Sequence, residues 1–270
     1  MSVVERARAL RRASDKEVDY LWARFVARPV AAWLLAAWAG PRWTPNGVSL
    51  ASLVVGLAAC AAFAWWPGAT GLWVAFSLVQ AAFVLDCMDG MLARACDLRS
   101  PAGTALDFLV DALKQMALFP AVAWRVWLDA GRPLDGADAW PLWAAVVSGP
   151  VVAAGLACTT FLRSPEVTGG VARALRPVRG GDLRGRVGAA VSFLMNYPSW
   201  ILLPVLFRRL DVFLLVSLPL YAAYLVAALA LIARRTATRD HYAGKGPDAR
   251  ALPANLTAGS ARRTGPPSDG

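Results

Sequence analysis

The chain has 270 residues, 57% of them hydrophobic and 12 of them tryptophan, with a formal net charge of +10. That length and apolar content fit one polytopic membrane domain rather than an ordinary soluble one, and in such a protein the positive charge reports topology rather than nucleic-acid binding. The single histidine, His241, lies in a polar C-terminal stretch, which argues against histidine-based catalysis and His-rich metal sites. The cysteines, Cys60, Cys87, Cys96 and Cys158, lack metal-ligand spacing and read as small buried hydrophobes in or near apolar segments.

Residues 1–43 form a cytoplasmic N-terminal region. In it Val18, Leu21, Trp22, Phe25, Val26, Pro29 and Trp33 recur at helical spacing, with Arg24 and Arg28 on the other side. The pattern predicts an amphipathic helix lying in the membrane interface and bent near Pro29; an extension of the bundle core accounts for it about as well. The run VAAWLLAAWAG ends in small residues, but the acidic DKEVD stretch upstream makes a poor signal-peptide start, so no cleavage is expected.

Six apolar stretches of about 20 residues follow, at 48–66, 70–88, 104–124, 139–162, 187–207 and 211–233. The expected fold is all-α: six transmembrane helices in one domain over 44–236. A Gly-, Pro-, Arg-, Ser- and Thr-rich tail at 237–270 is expected to be disordered and cytoplasmic. Of the 28 Lys and Arg, 23 fall in the N-terminal region, the 89–103 and 163–186 connections and the tail; the two opposite loops hold only Arg125, Arg132, Arg208 and Arg209. This asymmetry predicts a multi-pass protein of the cell membrane with both termini in the cytoplasm.

The stretch DCMDGMLARACDLRSPAGTALDFLVD holds Asp86, Asp89, Asp107 and Asp111 at the cytoplasmic end of the second and third spans. At about 100° per residue, Asp89, Gly90 and Ala93 lie within about 60° of Asp86 on one helical stripe. Gly103, Asp107 and Asp111 are spaced by four and share a face of the next helix. An antiparallel pair joined by the short CDLRSP turn brings the two stripes together. Four converging carboxylates cannot all ionise unassisted, and an unpaired charge within an apolar span costs at least about 2.5 kcal/mol. Hard oxygen ligands without thiolate or imidazole point to Mg²⁺ or Mn²⁺, and four Asp suit two such ions around a phosphorus under in-line attack. Gly90 and Ala93 let a ligand approach the backbone, and Arg94 can fork onto phosphate oxygens.

Asp86-x-x-Asp89-Gly90-x-x-Ala93-Arg94, eight residues, then Gly103-x-x-x-Asp107-x-x-x-Asp111 resembles the signature of the CDP-alcohol phosphotransferase (CDP-alcohol phosphatidyltransferase) family at every fixed position. The resemblance runs from about Thr44 to the end of the sixth span. It implies a reaction of phospholipid biosynthesis, in which an alcohol hydroxyl attacks the β-phosphorus of a CDP-linked donor, commonly CDP-diacylglycerol, and CMP leaves. It also implies that Asp86, Asp89, Asp107 and Asp111 hold two divalent cations, with Asp111 taking the hydroxyl proton. Gly90, Ala93, Arg94 and Gly103 would shape the nucleotide site, with Ser100 as a further polar contact. Pro45 and Asn46, in TPNGVSLAS, would lie against the cytidine, although a simple turn accounts for them too. A homodimer is expected on the same ground.

Members often carry Lys or Arg directly after the last Asp, where this chain has Ala112. Lys114 falls on the stripe of Asp107 and is expected to replace that charge by pairing with Asp107 or Asp111, or with an acceptor phosphate; a snorkelling lysine is the alternative. The basic connection, with Arg163, Arg173, Arg176, Arg179, Arg184 and Arg186, either enforces topology and touches anionic lipid or binds a phosphate on the acceptor, Arg163 first. The acceptor is thus a small alcohol or phosphoalcohol. A same-family enzyme with a soluble CDP-linked donor stands as the second reading, and a cation transporter as a reading of another class. A catalytically dead scaffold is disfavoured by the intact signature.

Overall fold

A computed structural model describes residues 2–13, 22–38, 43–132, 134, 136–163, 190 and 193–243, the last nine by backbone only. Among these the chain is helical, without strands. It falls into two units, Met1–Ala228 and Leu229–Gly270. In chain order come α1 (Val3–Ala13), a π-helical turn (Ala23–Ala27), α2 (Arg28–Trp38), α3 (Pro45–Trp65), α4 (Gly68–Ala95), α5 (Pro101–Asp129) and a 3₁₀ turn (Ala137–Ala139). They are followed by α6 (Trp140–Arg163), the short α7 (Tyr197–Trp200) and α8 (Leu202–Leu206), and α9 (Leu210–Ala243).

Among the described residues, four stretches are helical, long and apolar enough to cross a membrane: Pro45–Trp65, Gly68–Ala95, Ala137–Leu162 and Leu210–Arg234. They correspond to the first, second, fourth and sixth expected spans. The third is a 29-residue helix, α5, but Asp107, Asp111, Lys114 and Arg125 interrupt its apolar character. The fifth is broken where it is described. Asn196 separates a short helical piece from α7, Pro198 and Pro204 sit in α7 and α8, and the apolar helical stretch covers only Tyr197–Leu206. Residues 187–189, 191 and 192 of that span lie outside the described residues. So do Arg173, Arg176, Arg179, Arg184 and Arg186, and the expected tail from residue 244 on; residues 237–243 continue α9.

The N-terminal arm differs in detail from its sequence pattern. Ala31, Ala32, Leu35 and Ala36 form the buried stripe of α2, which packs with α1 against α4, while Phe25, Val30, Trp33 and Trp38 point outward. Small residues permit close helix approach and leave the aromatic side free to meet lipid. The π-helical turn falls just before Pro29, where a proline disturbs regular hydrogen bonding. Arg28 is buried, unlike Arg24, so the two arginines do not share one exposed face. The Trp22 indole donates to Gln80 Oε1 at 2.8 Å, and Gln80 Nε2 donates to the Pro198 carbonyl at 2.9 Å, joining the arm, α4 and α7.

α3 packs along both α4 and α5, and each of those makes closer backbone contact with α3 than with the other. The antiparallel pair expected from the sequence is therefore opened, with α3 as its floor. An aromatic cluster closes the other side of α5: Phe119 stands 5.4 Å from Phe213 and 5.1 Å from Tyr221, and Trp200 stands 5.0 Å from Phe213, ring centre to ring centre. Cys60 is buried as expected, but Cys96 is exposed because it caps α4.

The turn between α3 and α4 is held tightly. Buried Arg125 donates to the Trp66 carbonyl and, at 2.7 Å, to Asp129 Oδ2. Gly71 approaches that same carbonyl so closely that a Cβ would lie 2.0 Å from it. Gly71→Ala must push the turn apart, so it should destabilise the fold by about 1–3 kcal/mol, the usual range for overpacking. Thermal unfolding in detergent checks this by a fall of several degrees in apparent Tm.

Candidate active site

The site lies where α3 and α5 begin and α4 ends, and the sequence fixes each of these ends. Thr44 and Ser100 are extended N-cap residues whose hydroxyls accept from the backbone N–H of Gly47 at 3.2 Å and Gly103 at 2.9 Å. In both, proline occupies the first helical position, where its missing N–H costs nothing. Thus Thr44-Pro45-Asn46-Gly47 and Ser100-Pro101-Ala102-Gly103 are two copies of one cap, set side by side. A Cβ on Gly103 would lie 3.4 Å from Asn46 Oδ1. α4 ends with Asp97 in the left-handed region (φ 54°) and the Leu98 N–H on the Ala93 carbonyl at 2.9 Å, a Schellman-type stop that turns the chain back toward Ser100.

These ends enclose a cavity of about 460 Å³ lined by Pro45, Asn46, Ser49, Asp89, Gly90, Ala93, Arg94, Ser100, Gly103 and Asp107, together with Leu98, Arg99 and Thr104. All the residues expected at the nucleotide site line this one space. Arg94 folds back across Gly90, where a Cβ would lie 3.3 Å from a guanidinium nitrogen. Its Nε is buried without a hydrogen-bond partner. Two helix N-termini and a guanidinium with an unspent donor suit an anion with several oxygens, such as a diphosphate.

Asp86, Asp89 and Asp107 each offer one carboxylate oxygen, and the three oxygens lie within 4.8 Å of one another. The donor set is all oxygen, with no cysteine or histidine in the group, and it fits a hard divalent cation such as Mg²⁺ or Mn²⁺. Asp111 is not one of the three but adjoins Asp86. Its Oδ1 pairs at 2.9 Å with Lys114 Nζ, which also pairs at 2.7 Å with Asp86 Oδ1. Of the pairings expected for Lys114, Asp111 is thus found, and Asp86 on the facing helix joins it. Arg163 is the last residue of α6.

The sequence pattern did not single out Ser49, Ser52 and Gly56 of α3. The Ser49 hydroxyl donates to Asp89 Oδ2, and Ser52 Oγ accepts from Lys114 Nζ at 2.9 Å while donating to the Ala82 carbonyl at 3.0 Å. Their only sequence signal is spacing, Ser-x-x-Ser-x-x-x-Gly along one face of an apolar span, where small polar residues mark helix contact. Gln115, beside Lys114, was also missed; its Oε1 accepts from the Tyr221 hydroxyl at 3.1 Å.

A helical membrane protein with an acidic triad beside an arginine-lined cavity is the class this architecture defines. Residues 42–175 match the CDP-alcohol phosphatidyltransferase family, and the chain belongs to that family. No curated protein matches the chain. The family is one of transferases acting on CDP-alcohols and is known for divalent metal use. The matched segment holds every lining residue of the cavity, the four aspartates and Lys114. Residues that orient metal-binding carboxylates commonly tune affinity by 10–100-fold, so Ser49→Ala should weaken Mn²⁺ binding by about tenfold. Titration of free Mn²⁺ by electron paramagnetic resonance measures it.

Proposed function

We propose that this chain transfers a phosphatidyl group from CDP-diacylglycerol to a small alcohol or phosphoalcohol, releasing CMP, as a step of phospholipid biosynthesis. The observation that carries the reading is the cavity in which two members of the carboxylate triad, Asp89 and Asp107, meet the partnerless Arg94 Nε and two helix N-termini. Its position at the ends of apolar helices supports a donor that is half lipid and half nucleotide. The charge asymmetry of the loops supports a cytoplasmic site with both termini on that side, and family resemblance supports a homodimer.

In this reading Asp86, Asp89 and Asp107, with Asp111 beside them, would hold the divalent cations. When bound, they neutralise the diphosphate and make CMP a better leaving group. Arg94 receives diphosphate oxygens on its free donor. Gly90, Ala93 and Gly103 leave room for the nucleotide to lie on backbone, Pro45 and Asn46 border the cytidine, and Ser100 closes the rim. The acceptor hydroxyl oxygen forms its bond to the β-phosphorus as the bond to CMP breaks, and Asp111 takes the hydroxyl proton. An acceptor phosphate, where present, is met by Arg163.

Purified protein given CDP-diacylglycerol, Mg²⁺ or Mn²⁺ and a panel of alcohols and phosphoalcohols should release CMP with at least one acceptor, and chelation should abolish release. Asp111→Asn should lower kcat about 10²–10⁴-fold. Metal flux into vesicles without CMP formation would instead show a transporter, and release only from a soluble CDP-linked donor would move the chain to another branch of the family.

A further inference from the structure

Lys114 is 3% exposed, in a helix that also carries three carboxylates, Asp107, Asp111 and Asp129. An ammonium group has three hydrogens to donate, and here three acceptors receive them: Ser52 Oγ at 2.9 Å, Asp86 Oδ1 at 2.7 Å and Asp111 Oδ1 at 2.9 Å. The group is therefore fully committed to the protein, with no donor left for an acceptor phosphate. Its stem is equally fitted. Gly56 stands against it, and a Cβ there would lie 2.8 Å from Lys114 Cγ and 2.9 Å from Cδ. Ser52 and Gly56, one turn apart on α3, thus form a seat for this one side chain. The ion pairs reach both helices of the opened pair, Asp86 on α4 and Asp111 on α5.

We propose that Lys114 is a positioning residue, an internal cation seated on Ser52 and Gly56 that ties Asp111 to Asp86 and fixes Asp111 for the acceptor hydroxyl. The inference rests on the transferase reading above. Two consequences separate this role from simple structural support. The lysine charge beside Asp86 opposes a divalent cation at the triad, so wild-type metal affinity is lower than the carboxylates alone would give. The same charge holds Asp111 in one orientation, so its loss slows chemistry even as metal binds better. A residue serving stability alone would not tighten metal binding when removed.

The test compares wild-type protein with Lys114→Met and Lys114→Arg. Mn²⁺ affinity is read by electron paramagnetic resonance on metal-stripped protein, and kcat and KM are read by CMP release. Lys114→Met should bind Mn²⁺ at least about fivefold more tightly and show a larger rise in Tm on adding Mn²⁺, while kcat falls at least about tenfold. Lys114→Arg keeps the charge, but its planar fork does not fit the Gly56 seat, so kcat should fall with Mn²⁺ affinity close to wild type. Unchanged Mn²⁺ affinity in Lys114→Met, or wild-type kcat in either variant, overturns the proposal. If Lys114→Met does not fold, the kcat of Lys114→Arg decides. Absence of CMP release by wild type from every CDP-linked donor overturns the transferase reading instead, and the Mn²⁺ affinities still report whether Lys114 opposes metal at the triad.

Discussion

Three carboxylate oxygens within 4.8 Å of one another, at the end of helices built for lipid, are the constraint around which the rest is arranged. Mutual repulsion in a poorly polarisable setting is severe, and it must be met by positive charge, by donors or by metal. Each neighbouring element supplies one of these. α3 brings the Ser49 hydroxyl to Asp89 and seats Lys114 beside Asp86, and the caps of α3 and α5 aim their helix N-termini at the same space. With α3 as their floor, α4 and α5 bring these acids to one end of a cleft.

The same logic explains why α3 is the central helix of the site although it carries none of the acids. A membrane helix gains little from burying more apolar surface against its neighbours, so close approach depends on small residues and on polar contacts. Ser49, Ser52 and Gly56 supply both. They let α3 lie against α4 and α5, and the two serines hydrogen-bond to Asp89 and Lys114. Gly56 is worth most as space, since any side chain there would displace the lysine stem.

The four aspartates and the small residues around them were legible in the sequence because their chemistry is incompatible with lipid unless they serve a shared purpose, and their spacing fixes their faces. The nucleotide-site residues were legible with them, through resemblance. The supporting residues were not. A serine in an apolar span is easily accommodated by its own helix backbone, so Ser49 and Ser52 carry little signal until a partner is seen. Lys114 was placed on the correct stripe, but its second partner, Asp86, belongs to the other helix, and one-helix geometry cannot show it. Two of the expected spans depart from a simple apolar helix where two rules competed. α5 is long enough to cross, yet its acids and Lys114 make it less apolar; Pro198, Pro204 and the break at Asn196 divide a stretch whose composition alone reads as continuous. On the N-terminal arm, the pattern gave an interfacial face of large apolar residues; Phe25 and Trp33 are exposed, and the packed stripe is built from alanines the pattern did not single out.

The most direct measurement is anomalous diffraction from crystals soaked in Mn²⁺. A peak bounded by Asp86, Asp89 and Asp107, with Lys114 still bridging Asp86 and Asp111, is the expected result. Density for the ion elsewhere, or carboxylates turned away from one another with no ion among them, would contradict a shared acidic site.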